Sequence, residues 1–76
     1  MSRLPRVTGR QVLKALERGK YVQTHIRGSH HYFRKQGIAG LVVVPVHGGH
    51  DLPAGTLRSI LRQAGLTVEE FTELLD

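Results

Sequence analysis

Five histidines, His25, His30, His31, His47 and His50, stand in a chain of 76 residues that has no cysteine. Histidine is the one side chain whose ordinary pKa lies near neutrality, so it can take up and return a proton at the pH of a cell. RNA cleavage needs little else. The ribose 2′-OH is an internal nucleophile, a base removes its proton, and a cation stabilises the charge on the phosphoryl group. No metal is required, and DNA, which lacks the 2′-OH, would be untouched. His30 follows Gly28-Ser29 at the entrance to an expected strand. There an imidazole and backbone N–H groups can approach one phosphate together. Arg27 and Arg34 lie nearby in sequence. The plainer reading, a solvated strand residue, is the commoner fate of a lone histidine, and both stay open on these grounds.

The other candidates have plain readings too. His47 and His50 with Asp51 supply donor types that suit a metal, but in a Gly-rich loop with no dependable geometry, so no metal and no cofactor is expected. His25 reads as a surface strand residue. Tyr32 and Phe33 read as sheet packing, with base stacking the alternative for whichever is exposed. Lys14, Arg18 and Lys20 are either a solvated helix face or phosphate contacts.

The elements that must hold these residues follow from periodicity and caps. Thr8 and Gln11 make a capping box, and Val7 with Val12 makes a hydrophobic staple. Val12, Leu13 and Leu16 then form an apolar stripe, and Arg10, Lys14 and Arg18 a basic one. Gly19 is expected to end this helix as a left-handed cap. Residues 20–26 alternate as a strand, with Val22, Thr24 and Ile26 on one face and Tyr21, Gln23 and His25 on the other. Arg27-Gly28-Ser29 is a turn. Residues 30–35 form a second strand, with His30, Tyr32 and Arg34 on one face and His31, Phe33 and Lys35 on the other. Gln36-Gly37 and Gly40 turn the chain into a third, apolar strand over 41–46. A second helix over 53–64, opened by Pro53, presents Leu57, Ile60, Leu61 and Ala64, and Gly65 stops it. Thr67 with Glu70 and Leu66 with Phe71 repeat the box and the staple. Phe71, Leu74 and Leu75 line a last short helix. The sum is α+β: a three-stranded antiparallel sheet with two helices on one face, in αβββα order, plus a short C-terminal helix.

Length and charge narrow the class. Seventy-six residues make a single domain, 1–76, and exclude a multidomain enzyme or a solenoid. Without cysteine there is no disulfide framework, thiolate zinc cluster or thiol nucleophile, which is compatible with the cytoplasm. The longest apolar run, Leu41 to Val44, is far short of the ~20 residues a membrane span needs. Met1 to Arg6 has no apolar stretch after its basic residues, so no signal peptide and no membrane partner are expected. The net charge of +5 is unevenly placed. Residues 1–38 carry nine Lys and Arg against Glu17, a net +8, and residues 39–76 carry two against five acids, a net −3. A basic half of this kind points to a polyanion, and nucleic acid is the usual one.

Three segments together resemble the HicA family, the small toxins of HicA/HicB toxin–antitoxin systems. They are Arg27-Gly28-Ser29-His30-His31-Tyr32-Phe33, then Val42 to His47 (V-V-V-P-V-H), then Leu52 to Thr67, beginning L-P-A-G-T-L. The resemblance runs from the first helix to Phe71. It implies a fold like the double-stranded-RNA-binding domain and an mRNA interferase, a metal-independent endoribonuclease. It implies that His30, in the G-S-H motif, is the catalytic residue, and it places the family's second histidine at His47. The implied partners are messenger RNA and a HicB-type antitoxin. With the basic surface, the RNA contacts expected are Arg10, Lys14, Arg18, Lys20, Arg27, Ser29 and Arg34. The alternative is a non-catalytic RNA-binding module of the same fold. Self-association is left open by the sequence.

Overall fold

The computed structural model describes residues 3–75. Met1, Ser2 and Asp76, which entered the reading of the amino terminus and of the acidic half, lie outside the described residues. The element order is α1 (Gly9–Arg18), β1 (Val22–Arg27), β2 (His30–Arg34), β3 (Val42–Pro45), α2 (Ala54–Ala64) and α3 (Val68–Leu74). The strands form one open antiparallel sheet in the order β1-β2-β3. This is the αβββα arrangement with a short final helix. It is compatible with a fold like the double-stranded-RNA-binding domain.

Each helix starts where its cap places it. The Thr8 hydroxyl accepts from the Gln11 N–H at 3.2 Å, and Gln11 Oε1 accepts from the Thr8 N–H at 2.8 Å. Thr67 and Glu70 repeat the exchange at 3.0 and 2.8 Å before α3. Each box satisfies two groups at a helix start, one of them an amide with no partner inside the helix. Pro53 stands just ahead of α2 as its cap residue, in extended backbone (φ −57°, ψ 146°), and the helix proper opens at Ala54. Gly9, the first residue of α1, is a contact point. A Cβ there would lie 2.5 Å from the Pro45 carbonyl oxygen, so only glycine lets α1 come this close to the end of β3.

The core lies between the sheet and the helices. Val12, Ala15 and Leu16 of α1, Leu57, Ile60, Leu61 and Ala64 of α2 and Phe71 of α3 close over Phe33, Val42 and Val44. All eleven are apolar, and Phe33 and Phe71 are the largest side chains fully enclosed. The free edge of β3 is not bare. Gln63 of α2 reaches it, and its Oε1 accepts the Val43 N–H at 2.8 Å, so an amide that would otherwise invite another strand is occupied.

Two expectations need correction. Gly19 does not take the left-handed conformation; its φ is −82°. The left-handed residue is Lys20, at φ 72°. The Tyr21 N–H bonds to the Leu16 carbonyl and the Lys20 N–H to the Glu17 carbonyl, the paired bonds of a Schellman ending. Gly19 has a different reason to be small: a Cβ there would sit 3.0 Å from Leu74 Cδ1, beneath α3. The alternation of β1 also fails. A bulge between Gln23 and His25 shifts the register, so that Val22 pairs Arg34, Gln23 pairs Phe33, His25 pairs Tyr32 and Ile26 pairs His31. Directly paired residues share a face. Val22 therefore shares its face with His25, and Ile26 shares the other with Gln23. An inserted residue at Thr24 interrupts the period of two.

Tyr21 ties the first turn after α1 to the end of α2. Its hydroxyl donates to the Ala64 carbonyl at 2.6 Å in the interior, answering one of the carbonyls that α2 leaves without an internal partner. The Lys35 ammonium lies 4.6 Å from the ring centre. Burial raises the phenol pKa above its ordinary 10.0, and the Glu70 carboxylate raises it further. The neutral phenol is thus favoured in the folded chain, and on raising the pH the unfolded chain loses this proton first. The contribution is complete below pH 10 and is lost as the pH climbs through the higher folded value. Tyr21→Phe should cost about 1–3 kcal/mol at neutral pH, because it leaves a buried carbonyl unpaired. Its deficit against the parent should shrink above pH 10, as denaturant melts from pH 7 to 11 would record.

Candidate active site on the open sheet face

The helices cover one face of the sheet and leave the other to solvent. The pairing arranges that open face in rows. Arg27, His30 and Pro45 form the first, and His25, Tyr32 and Val43 the second. Val22 and Arg34 begin the third. Successive rows are about 7 Å apart, two residues of strand rise. His30, Arg27, Arg34 and His25 are exposed, and Tyr32 and Pro45 are half-buried. No acidic residue lies in β1, β2 or β3. Positive charge on this face is therefore unopposed from within the sheet.

His30 owes its place to a two-residue hairpin. Gly28 and Ser29 connect β1 to β2, with Arg27 paired to His30. Gly28 has φ 59° and Ser29 does not share the left-handed region, which is the pattern of a II′ turn with glycine first. The Ser29 carbonyl accepts the Val46 N–H at 2.8 Å, which pins the turn to the end of β3. The His30 ring makes no hydrogen bond or ion pair among the described residues. Its backbone is paired on both sides, to Arg27 and to Pro45, and the imidazole is free to meet a ligand.

His31 is on the other face, as the strand period requires, and its Nδ1 is bonded to Gln23 Oε1 at 2.9 Å. His47 follows β3 at the end of the sheet where His30 begins, and both it and His50 are exposed. The backbone of Asp51 forms a β-bridge with Thr8, and the residue is exposed. Among the described residues no three His, Asp or Glu side chains gather in a way that could hold a metal ion.

The candidate cations fall into separate sets. Arg27 and Arg34 share the open face with His30, and Ser29 lies in the adjoining turn. Arg10, Lys14 and Arg18 lie on the outward side of α1, across the helical layer from that face. Arg18 has a structural task as well, since its Nη1 donates to the Leu74 carbonyl at 2.9 Å and fastens α1 to α3. Lys20 belongs to neither set; it is exposed at the α1–β1 junction.

One residue of the open face escaped the reading of the sequence. Alternation back from the Arg27–His30 pair puts His25 on the His30 face, and the bulge beyond it turns Tyr21 and Gln23 away. Thr24 Oγ1 donates to the Tyr32 carbonyl at 3.3 Å and lies 2.9 Å from His25 Nδ1. With its one proton given to the carbonyl, the hydroxyl accepts from Nδ1–H, leaving His25 Nε2 a free acceptor. The His25 and Tyr32 rings stack with centroids 4.3 Å apart and planes 6° apart. The signal for it was the two-residue turn, which pairs Arg27 with His30 and therefore His25 with Tyr32.

A small α+β protein with a histidine and arginines displayed on an acid-free sheet face is thus the class that fold and site define. Residues 9–66 match the family described as the HicA toxin of bacterial toxin–antitoxin systems. The chain belongs to the HicA toxin family. No curated protein matches it at a significant level. It is therefore the toxin member of a toxin–antitoxin system, and an antitoxin is its partner.

Lys20 provides a test of how the first helix ends. A lysine at φ 72° carries a Cβ penalty that glycine lacks. Lys20→Gly should raise stability by up to about 1 kcal/mol, the gain being offset in part by the freer unfolded chain. Equilibrium urea melts would show it as a higher midpoint at unchanged slope.

Proposed function

We propose that this toxin is a metal-independent endoribonuclease that cleaves messenger RNA in the cytoplasm and so blocks translation, with His30 as its general acid–base. The observation that carries the reading is the open-face row itself: an exposed imidazole without internal partners, an arginine paired beside it, and a second arginine on the same face. In the proposed reaction the RNA backbone lies across this face. Arg27 and Arg34 neutralise the phosphate and take up charge as it builds on the phosphoryl oxygens. His30 accepts the proton of the 2′-OH as that oxygen attacks the adjacent phosphorus. The bond to the 5′-oxygen breaks, leaving a 2′,3′-cyclic phosphate on one fragment, and the departing oxygen takes a proton to become a 5′-hydroxyl. The Ser29 region and the backbone of the hairpin turn help seat the phosphate. Arg10, Lys14, Arg18 and Lys20 form a second basic surface that adds sequence-independent affinity.

The catalytic role separates this reading from that of a non-catalytic RNA-binding module. His30→Ala should fold as the parent does, because the side chain is exposed and contributes nothing to the core. It should keep RNA binding within a few-fold and lose cleavage by at least about 100-fold, the usual worth of a general acid–base group. Parallel growth-arrest and cleavage assays, with and without EDTA, would decide. A variant that still cuts RNA, or a parent whose cutting stops with EDTA and returns with zinc, would refute the assignment.

The partner antitoxin, of HicB type in this reading, works by covering the same face. An acidic protein is drawn to unopposed positive charge, and steering of this kind accelerates association at low salt. RNA and antitoxin should then be mutually exclusive, and the association rate should fall as salt rises. Titrating antitoxin into His30→Ala with and without excess RNA tests this; a ternary complex at undiminished affinity would rule out occlusion.

A further inference from the structure

We infer that the stacked His25–Tyr32 pair is a nucleobase platform: a base of single-stranded RNA stacks on the exposed His25 ring while its backbone runs past His30. The inference rests on the endoribonuclease reading and deepens it, since it supplies the contact that holds the substrate strand in register.

Four observations converge on it. The rings of His25 and Tyr32 are nearly coplanar in orientation, 6° apart, and stacked at 4.3 Å. They stand in the row next to Arg27 and His30, about 7 Å away, which is the scale on which a base lies from its own backbone phosphate. The pair is built rather than incidental: the hairpin register sets His25 directly opposite Tyr32, and the hydroxyl of the bulged Thr24 lies 2.9 Å from its Nδ1. Finally, β1 is an edge strand, so on its outer side the His25 ring has no further strand to cover it, whereas Tyr32 is enclosed between His25 and the Val43 row. A base continues such a stack without regard to its identity, because every base has a π face. The free His25 Nε2 accepts a hydrogen bond at the ring's edge. The cations on the same face fit a polyanion, which selects RNA over an apolar peptide as the occupant.

The probe is a single-stranded 2′-O-methyl oligonucleotide of mixed sequence carrying 2-aminopurine, which cannot be cleaved and whose fluorescence drops on stacking. The parent should bind it and quench it. His25→Ala should bind about tenfold more weakly, the ordinary scale of losing one stacked base, and should quench little, while its thermal melt falls by only several degrees, the loss of one aromatic pair, so that it stays folded in the assay. His25→Phe should restore binding to within about twofold of the parent, because the ring face is retained. An oligonucleotide with an abasic position should lose a similar factor with the parent and little more with His25→Ala.

Unchanged affinity and quenching in His25→Ala, with the parent still cutting RNA, would overturn the platform and leave the endoribonuclease standing. A loss that phenylalanine does not repair would also overturn it, assigning the effect to the imidazole's hydrogen bond. His25→Ala that weakens only the antitoxin would move the stack to the protein interface and refute the RNA role. A parent that neither binds nor cuts RNA would sink both readings.

Discussion

A chain this short has helices enough to cover one face of its sheet and no more. That constraint governs the rest of the molecule. The covered face must supply nearly all the apolar burial, and it does so with Phe33, Val42 and Val44 beneath α1, α2 and α3. The uncovered face must live in water, so it is free to carry residues that a core could not accept. An exposed sheet face also has a regular spacing that a loop lacks. Side chains on it are held about 7 Å apart along a strand and about 5 Å apart across a pair. The candidate site occupies the face that the fold could not bury.

The helix starts were legible in the sequence because their causes are local. Thr8 with Gln11 and Thr67 with Glu70 act over three residues, and the stripe from Leu57 to Ala64 declares its own period. His30 was legible for the same reason, since two residues, Gly28 and Ser29, fix where β2 begins. Causes that act between distant segments were not legible. Gly19 was read as a left-handed cap when its smallness answers Leu74, and the left-handed turn fell to Lys20. Gly9 answers Pro45, far along the chain. The Thr24 bulge is held by the Tyr32 carbonyl across the hairpin, and nothing within β1 announces it. The bulge turns Tyr21 and Gln23 away from the face that His25 shares with Tyr32, so the single alternation read over residues 20–26 splits in two at Thr24.

The bulge also has a structural cost that the hairpin offsets. An extra residue interrupts the ladder. The Thr24 side chain spans the interruption: its hydroxyl donates to the Tyr32 carbonyl and lies 2.9 Å from His25 Nδ1. An aromatic pair of this kind contributes about 0.5–1.5 kcal/mol beyond its buried area. The interruption thereby places a second orienting contact on the open face. Val22 and Ile26, the two large apolar side chains left exposed among the described residues, fall on opposite faces of the same edge strand because of it.

The residues with the most chemistry sit on the strand with the least freedom. β2 is central, paired on one side to β1 and on the other to β3, so the backbone of residues 30–34 is tied through both its edges. Alternate residues of that one strand then serve the two faces. Phe33 is locked in the core, and its neighbours Tyr32 and Arg34 are directed outward by the same pleat. His30 is further fixed by the Ser29 carbonyl, which holds Val46 just beyond β3. A general acid–base must be positioned within a fraction of an ångström of the proton it moves, and strands hold side chains to that tolerance better than loops do. His47 and His50 have the same imidazole chemistry as His30, but they stand on the loop between β3 and α2. Of the exposed histidines, His30 and His25 alone are anchored in the sheet, and both stand on its uncovered face.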